Sequence, residues 1–332
     1  MKAVKIICIG AYAPETVISN NDLSNILDTS DEWIYSRTGI KNRHLVNGNE
    51  TSVSLAKNAS VEAIAYAGLN PEDIDCIIVG TSMPDNLYPS CACELQAELG
   101  CSAVAFDVTA ACTGFIYAMS IATQYIKGGC FKNVLVVGTD VHSRFLDWED
   151  RGTCVLFGDG AGAMVLAADE DINNNDVLSV DINADGKRGK ELTIALSGKN
   201  CPLVDPNDQK PSTVYMNGRE IYKFAVTDVP KTIQKALTEA NLAIEDIDFL
   251  VPHQANVRIL KALAEKLQLP IEKVIHNVEE YGNTSSASIP LAMKEALKDG
   301  LIKKGDILVL TGFGAGLTWG TAVVKWNATD KR

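Results

Sequence analysis

Histidine is scarce in this chain: four occur in 332 residues, at positions 44, 142, 253 and 276. Any imidazole base or proton donor has to come from this set. Long apolar runs are missing too. No stretch approaches the ~18 residues of a membrane span. The apolar run Ile6 to Ile9, behind Lys2 and Lys5, falls short of the ~7–15 residues of a secretory h-region, so it is expected to be the first core strand. An excess of basic residues is also absent. The formal net charge is −12, which opposes nucleic acid and anionic membrane. A polyanionic ligand must therefore meet clustered Lys and Arg. No C-x-x-C pair occurs among the nine cysteines, and Cys91-Ala-Cys93 is too little for a metal site. Most cysteines are expected to be buried free thiols in a reducing cytoplasm. No G-x-G-x-x-G marks a strand–helix junction, neither in Gly158-Asp-Gly-Ala-Gly162 nor in Gly312 to Gly320, so no dinucleotide site is expected.

What is present fits a packed protein of two modest domains or one duplicated fold, with 46% apolar residues. An internal repeat favours duplication. Glu72-Asp-Ile-Asp75 leads into the apolar run Cys76 to Val79, and Glu245-Asp-Ile-Asp248 leads into Phe249 to Val251, 173 residues later. Leu135-Val-Val137 and Leu308-Val-Leu310 share that offset, as do Leu69 and Leu242. Short β-branched runs at 75–80, 133–138 and 161–167, and at 248–252, 306–311 and 320–326, predict strands. Helical periodicity covers 51–67, 90–99 and 112–127, then 218–240, 256–267 and 286–299. Alternation of this kind predicts α/β halves, 1–170 and 171–332, with mostly parallel sheets against a shared helical layer. The segment 184–217, rich in Gly, Asn, Asp and Lys, is the expected long loop.

Cys112 follows the strand-like Val104-Ala-Phe-Asp-Val108 and precedes the helix-like Phe115 to Ala122. A thiol at a helix N-terminus is favoured as thiolate by the dipole and the unpaired N–H groups. Ala110, Ala111 and Gly114 leave room for a substrate. Cys112 is thus either a nucleophile or a small core residue. His253, in Val251-Pro-His-Gln-Ala-Asn256, ends an apolar strand, where α/β active sites collect. His44 is expected on the surface and His276 in a structural position. Asn283, in Tyr281-Gly-Asn-Thr-Ser-Ser-Ala-Ser288, is a helix cap or a site residue. The repeat offset carries position 112 into this same segment. The glycine-rich stretch Gly312 to Gly320 is a hairpin whose backbone is also able to approach an oxyanion.

These motifs together resemble the β-ketoacyl-[acyl carrier protein] synthase III family, initiating condensing enzymes of thiolase fold. The resemblance runs through Asp31-Glu-Trp-Ile-Tyr-Ser-Arg-Thr-Gly39, Thr109-Ala-Ala-Cys-Thr-Gly114, Phe157-Gly-Asp-Gly-Ala-Gly162, Met216-Asn-Gly-Arg219, Pro252-His-Gln-Ala-Asn256, Gly282-Asn-Thr-Ser285 and Gly312 to Gly320. It implies a layered α-β-α-β-α fold and a Cys112–His253–Asn283 triad, where elongating relatives use Cys–His–His. It implies ping-pong chemistry: Cys112 takes the acyl group from a short acyl-CoA, then malonyl-[acyl carrier protein] decarboxylates and attacks it. Backbone N–H groups of Cys112 and Ala315 would form the oxyanion hole. By the same resemblance Trp33 and Arg151 sandwich the CoA adenine, and Arg37 and Arg219 lie along the CoA path. Phe313 contacts substrate, and Tyr88 reaches across a homodimer interface into the partner's acyl pocket. No cofactor and no metal are implied. An acidic carrier protein needs a basic rim, for which Lys223, Arg258, Lys261 and Lys266 are the candidates and Glu265 an interruption.

The chain departs from the family at two pocket positions, His142 for leucine and Tyr88 for phenylalanine. Either His142 turns its ring aside, or the two residues polarise the pocket toward acetyl starters. Ala315 replaces a frequent glycine, which is harmless only at negative φ. Two other functions stay open at this point. One is a secondary-metabolite relative using the same triad for an ester, amide or diketide. The other is a non-catalytic acyl-CoA-binding protein.

Overall fold

The computed structural model describes residues 1–195 and 212–328. Nine strands form its two main sheets: β1 (Ala3–Tyr12), β2 (Cys76–Gly80), β3 (Val104–Val108), β4 (Asn133–Asp140), β5 (Gly160–Asp169), β6 (Val177–Ala184), β7 (Phe249–Pro252), β8 (Ile307–Gly314) and β9 (Thr318–Lys325). Seven helices have two turns or more: α1 (Asp31–Thr38), α2 (Ser52–Ala67), α3 (Cys91–Leu99), α4 (Gly114–Lys127), α5 (Gly218–Glu239), α6 (Val257–Leu267) and α7 (Ser288–Lys298). The first sheet runs β1-β5-β4-β2-β3 and the second β6-β9-β8-β7. A lone parallel bridge from Leu250 to Val274 stands beside β7 where β3 stands beside β2.

Both faces of the central strands are buried, so β2 and the interiors of β4, β5 and β8 are near-continuous apolar runs. In β2, Cys76 and Ile78 face the central core that holds α4 and α7, while Ile77 and Val79 face α2 and α3. In β8, Leu308 and Leu310 face the same central core, while Val309 and Phe313 face α5 and α6. The result is five layers, with α4 and α7 shared by both sheets.

Three expectations change. The sheets are mixed: β2 pairs in parallel with β3 and β4, and β7 with β8, but β1–β5, β4–β5, β8–β9 and β6–β9 are antiparallel. The short link from β8 to β9 permits only an antiparallel pair. The predicted loop 184–217 is structured where described, with an irregular helical turn, Gly186–Glu191, and a two-stranded ribbon of Leu192–Ile194 with Val214–Met216. Residues 196–211, including Cys201, lie outside the described part. The repeat also slips. Ile77 and Leu250 both face the outer helices at the 173-residue offset. Leu135 faces outward, but Leu308 faces the centre, and Val309 is the true partner. Since pleating alternates by one residue, the offset has become 174 by β4 and β8.

Candidate active site

Two short turns meet between the sheets. One, Ala111–Thr113, joins β3 to α4, and the other, Ser285–Ala287, leads into α7. Each opens on a left-handed residue, Ala111 at φ 45° and Ser285 at φ 51°. Gly80, at the end of β2, lets the first turn pack closely, since a β-carbon there would lie 2.3 Å from the Gly114 carbonyl carbon. Gly314 does the same for Cys112, whose N and Cβ would each lie 3.0 Å from an added β-carbon. Asp140, fully buried at the end of β4, ties the halves together. Its Oδ1 accepts from Thr81 Oγ1, Ser82 N and Met83 N at 2.8–3.0 Å, and its Oδ2 accepts from Ser286 N at 3.3 Å.

Cys112, His253 and Asn283 line one cavity of about 660 Å³, together with Phe157, Phe313 and Gly314. His253 follows β7, and its N–H donates to Thr311 O at 2.7 Å. Its Nδ1 lies 2.7 Å from Ser288 Oγ. That hydroxyl donates to Ser285 O and accepts from Gln254 N. With that hydroxyl donating to Ser285 O, Nδ1 carries the imidazole hydrogen and Nε2 the lone pair; with the hydroxyl turned to Nδ1, the tautomer reverses. Phe313 packs edge-on to the ring at 5.2 Å. Asn283 Oδ1 accepts from Ser285 N at 2.9 Å, which leaves its amide hydrogens as the donors. Burial pushes the Cys112 thiol up to about 12. Burial, with a contribution from His142, pulls His253 down to about 3. Both shifts favour the neutral forms, a thiol and an imidazole. Desolvation thus opposes the helix terminus, which favours thiolate.

Of the other expected substrate contacts, Arg37 and Phe313 line the cavity, as do Arg258 and Lys261 of the expected docking set and the acidic Glu265 beside them. Trp33, Tyr88, His142, Arg151, Arg219, Lys223 and Lys266 are not on its wall. Arg37 Cζ lies 4.5 Å and Arg151 Cζ 5.2 Å from the Trp33 ring centroid. A base between Trp33 and Arg151 needs about 7 Å, two contacts of ~3.5 Å, so the slot is closed here. Arg151 is held by Asp28 through both its carboxylate and its carbonyl. His142 is buried and stacked on Phe157 at 4.7 Å and 4°, with Nδ1 unpartnered. Tyr88 is 87% exposed, far too open for a residue of its own subunit's pocket. Ala315 does not have positive φ. Lys223, Arg219 and Lys266 are exposed on α5 and α6.

Several residues were not anticipated. Arg43, in a segment expected at the surface, is 1% exposed. Its guanidinium donates to Asn20 Oδ1, Ile18 O and Val155 O at 2.8–3.1 Å. It thus anchors the strand-like stretch where Leu156 O accepts from Asn283 N at 2.8 Å and Asn283 O accepts from Gly158 N at 3.0 Å. His44 is half-buried and stacked on Tyr281 at 4.7 Å, because the same segment folds inward. His276 is exposed rather than structural. Ser285 and Ser288 lie in the motif around Asn283, and the repeat offset points at their turn.

The family described as 3-oxoacyl-[acyl-carrier-protein (ACP)] synthase III matches residues 106–186, and its C-terminal counterpart matches residues 237–326. A curated relative from Microcystis aeruginosa, named beta-ketoacyl-[acyl-carrier-protein] synthase III, is 50% identical over 331 residues, covering 98% of each chain. One of the same name from Clostridium acetobutylicum is 47% identical, covering 98% of this chain and 100% of its own. The crystal structure of 3-oxoacyl-[acyl-carrier-protein] synthase III from Aquifex aeolicus VF5 is 46% identical with a TM-score of 0.90, covering 97% of this chain and 100% of that one. A thiol, an imidazole and an amide gathered between two like sheets, in a chain with these relatives, lead to one conclusion: the chain belongs to the 3-oxoacyl-[acyl-carrier-protein] synthase III family, acyl-transferring condensing enzymes that initiate fatty acid synthesis.

Proposed function

We propose that this enzyme joins a short acyl-CoA, acetyl-CoA foremost, to malonyl-[acyl carrier protein] and yields a 3-oxoacyl-[acyl carrier protein]. Cys112, in the half 1–170, carries the acyl group. His253 and Asn283, in the half 171–332, act on it and on the second substrate. The observation that supports this most is the cavity shared by Cys112, His253 and Asn283, with His253 Nδ1 held by the Ser288 hydroxyl. Nε2 takes the Cys112 proton as sulfur attacks the thioester carbonyl. The proton leaves on the departing CoA thiolate, so Cys112 ends as a thioester and CoA as a free thiol. The N–H groups of Cys112 and Ala315 stabilise the oxyanion.

In the second half-reaction the malonyl thioester loses carbon dioxide. The Asn283 amide donates to its carbonyl as the enolate forms. His253 donates from Nε2 only in its other tautomer, which the Ser288 hydroxyl permits by turning from Ser285 O toward Nδ1. The enolate attacks the Cys112 thioester and the thiolate is expelled; it takes one proton from solvent, the proton that decarboxylation consumes overall, to restore the thiol.

The cavity rim with Arg37, Arg258 and Lys261 suits phosphate groups and an acidic carrier protein. Trp33 and Arg151 bind the adenine once Arg151 leaves Asp28. Arg219 lies along the CoA path, and Lys223 and Lys266 extend the docking face. The enzyme works in the cytoplasm as a homodimer without cofactor. The open edge of β3, with Val104 at 52% exposure, and the exposed Leu87 and Tyr88 support a second copy there. Stacking of His142 on Phe157 favours a ring turned from the acyl group.

The test is condensation of acetyl-CoA with malonyl-[acyl carrier protein], with radiolabelled acetyl followed on the protein. Cys112→Ala is expected to retain no label and to lose activity by ~10³-fold or more. A labelled or condensing Cys112→Ala enzyme defeats the reading. Transfer to an alcohol or amine in place of malonyl carrier protein favours the secondary-metabolite alternative.

A further inference from the structure

Ser285 stands where the three proposed triad members meet. Its N–H donates to Asn283 Oδ1 at 2.9 Å. Its carbonyl accepts from the Ser288 hydroxyl at 2.8 Å, and that hydroxyl oxygen holds His253 Nδ1 at 2.7 Å. Its own hydroxyl donates to Cys112 Sγ at 3.4 Å. Ser285 is 1% exposed, so bulk water does not compete for this hydroxyl. Its φ of 51° is uncommon outside glycine. The N–H and carbonyl bonds on either side hold it there.

We propose that Ser285 is a further catalytic residue, whose hydroxyl stabilises the Cys112 sulfur as negative charge develops on it. A thiol is a weak acceptor and a thiolate a strong one. The bond therefore strengthens as sulfur gives up its proton, and again when sulfur leaves after condensation. An interaction that grows toward the transition state accelerates the step instead of merely binding. No bond to Ser285 forms or breaks. The Cys112 proton passes to His253 and onward to CoA, and Ser285 keeps its own.

The inference rests on Cys112 being the acyl carrier. Ser285→Ala removes the hydroxyl and keeps both backbone bonds. Ser285→Gly removes it and also suits positive φ. In full-length protein, two rates are measured: alkylation of Cys112 by iodoacetamide, read on its peptide by mass spectrometry, and acetyl transfer from acetyl-CoA to the protein. Both variants are expected to be about tenfold slower in both reactions at every pH from 6 to 9. A folded alanine or glycine variant with wild-type alkylation and acetylation overturns the proposal. Acetyl that stays on a Cys112→Ala protein defeats the reading of Cys112 instead, and does so without touching the alkylation result.

Discussion

The turn Ala111–Thr113 and the turn Ser285–Ala287 are built alike. Each enters through a left-handed residue and leads into a central helix. Each is met by a glycine of the neighbouring sheet. A β-carbon on Gly138 would lie 2.3 Å from Ser286 O, and one on Gly312 would lie 3.1 Å from Thr113 Cα and 3.3 Å from Cys112 O. Two residues further along the strand the likeness ends. The first half has Asp140, whose carboxylate takes the N–H of Ser286. The second has Gly314, which places no side chain against Cys112. Among the described residues the Cys112 N–H has no hydrogen-bond partner on another residue. One copy of the motif is thus filled and structural, and the other is left hollow where an oxyanion would sit.

The largest test of this contrast makes the hollow turn resemble the filled one. Gly314→Asp is expected to cut acetyl transfer to Cys112 by ~10³-fold, through loss of an oxyanion donor and added negative charge. A variant that folds and acetylates normally breaks the comparison. Next is Arg43→Met, which strips the anchor from the Asn283 side and leaves two buried acceptors and one part-buried acceptor short of a donor. Stability in a denaturant titration is expected to fall by about 2–4 kcal/mol, and an unchanged midpoint would show that the anchor is dispensable. A third test concerns the resting charge on the two halves. Burial raises the thiol to about 12 and lowers the imidazole to about 3, so both are neutral across the working range. The thiolate fraction then grows with pH, and Cys112 alkylation is expected to rise about tenfold per unit from pH 6 to 9. A plateau below pH 8 would mean a preformed ion pair.

Much of this was legible in the sequence. The apolar runs located the core strands, and the repeat set the turn of Cys112 opposite that of Asn283. The sequence could not show pleating, so Leu135 was matched to Leu308 when its face belongs with Val309. It could not show strand direction beyond a helix-crossover habit, which missed the antiparallel β1, β5, β6 and β9. Arg43 gives no signal in the sequence, since charged side chains normally lie at the surface. Its burial depends on carbonyls supplied by segments as distant as Val155. The environment of Cys112 was only half legible for a related reason. A helix terminus is visible in sequence, whereas burial of the thiol is a property of the fold.

The shared central layer has a consequence for how the chain comes into being. Residues of α4 pack against β8 and β9 as well as against β2 and β4, and α7 packs against β1 and β5. During synthesis the first 170 residues emerge with the central face of their sheet covered by α4 but not yet by α7. The segment that completes it arrives some 130 residues later, on the order of ten seconds at ~5–20 residues per second. For that interval the apolar side chains of β1 and β5 that α7 covers are expected to stay open to water.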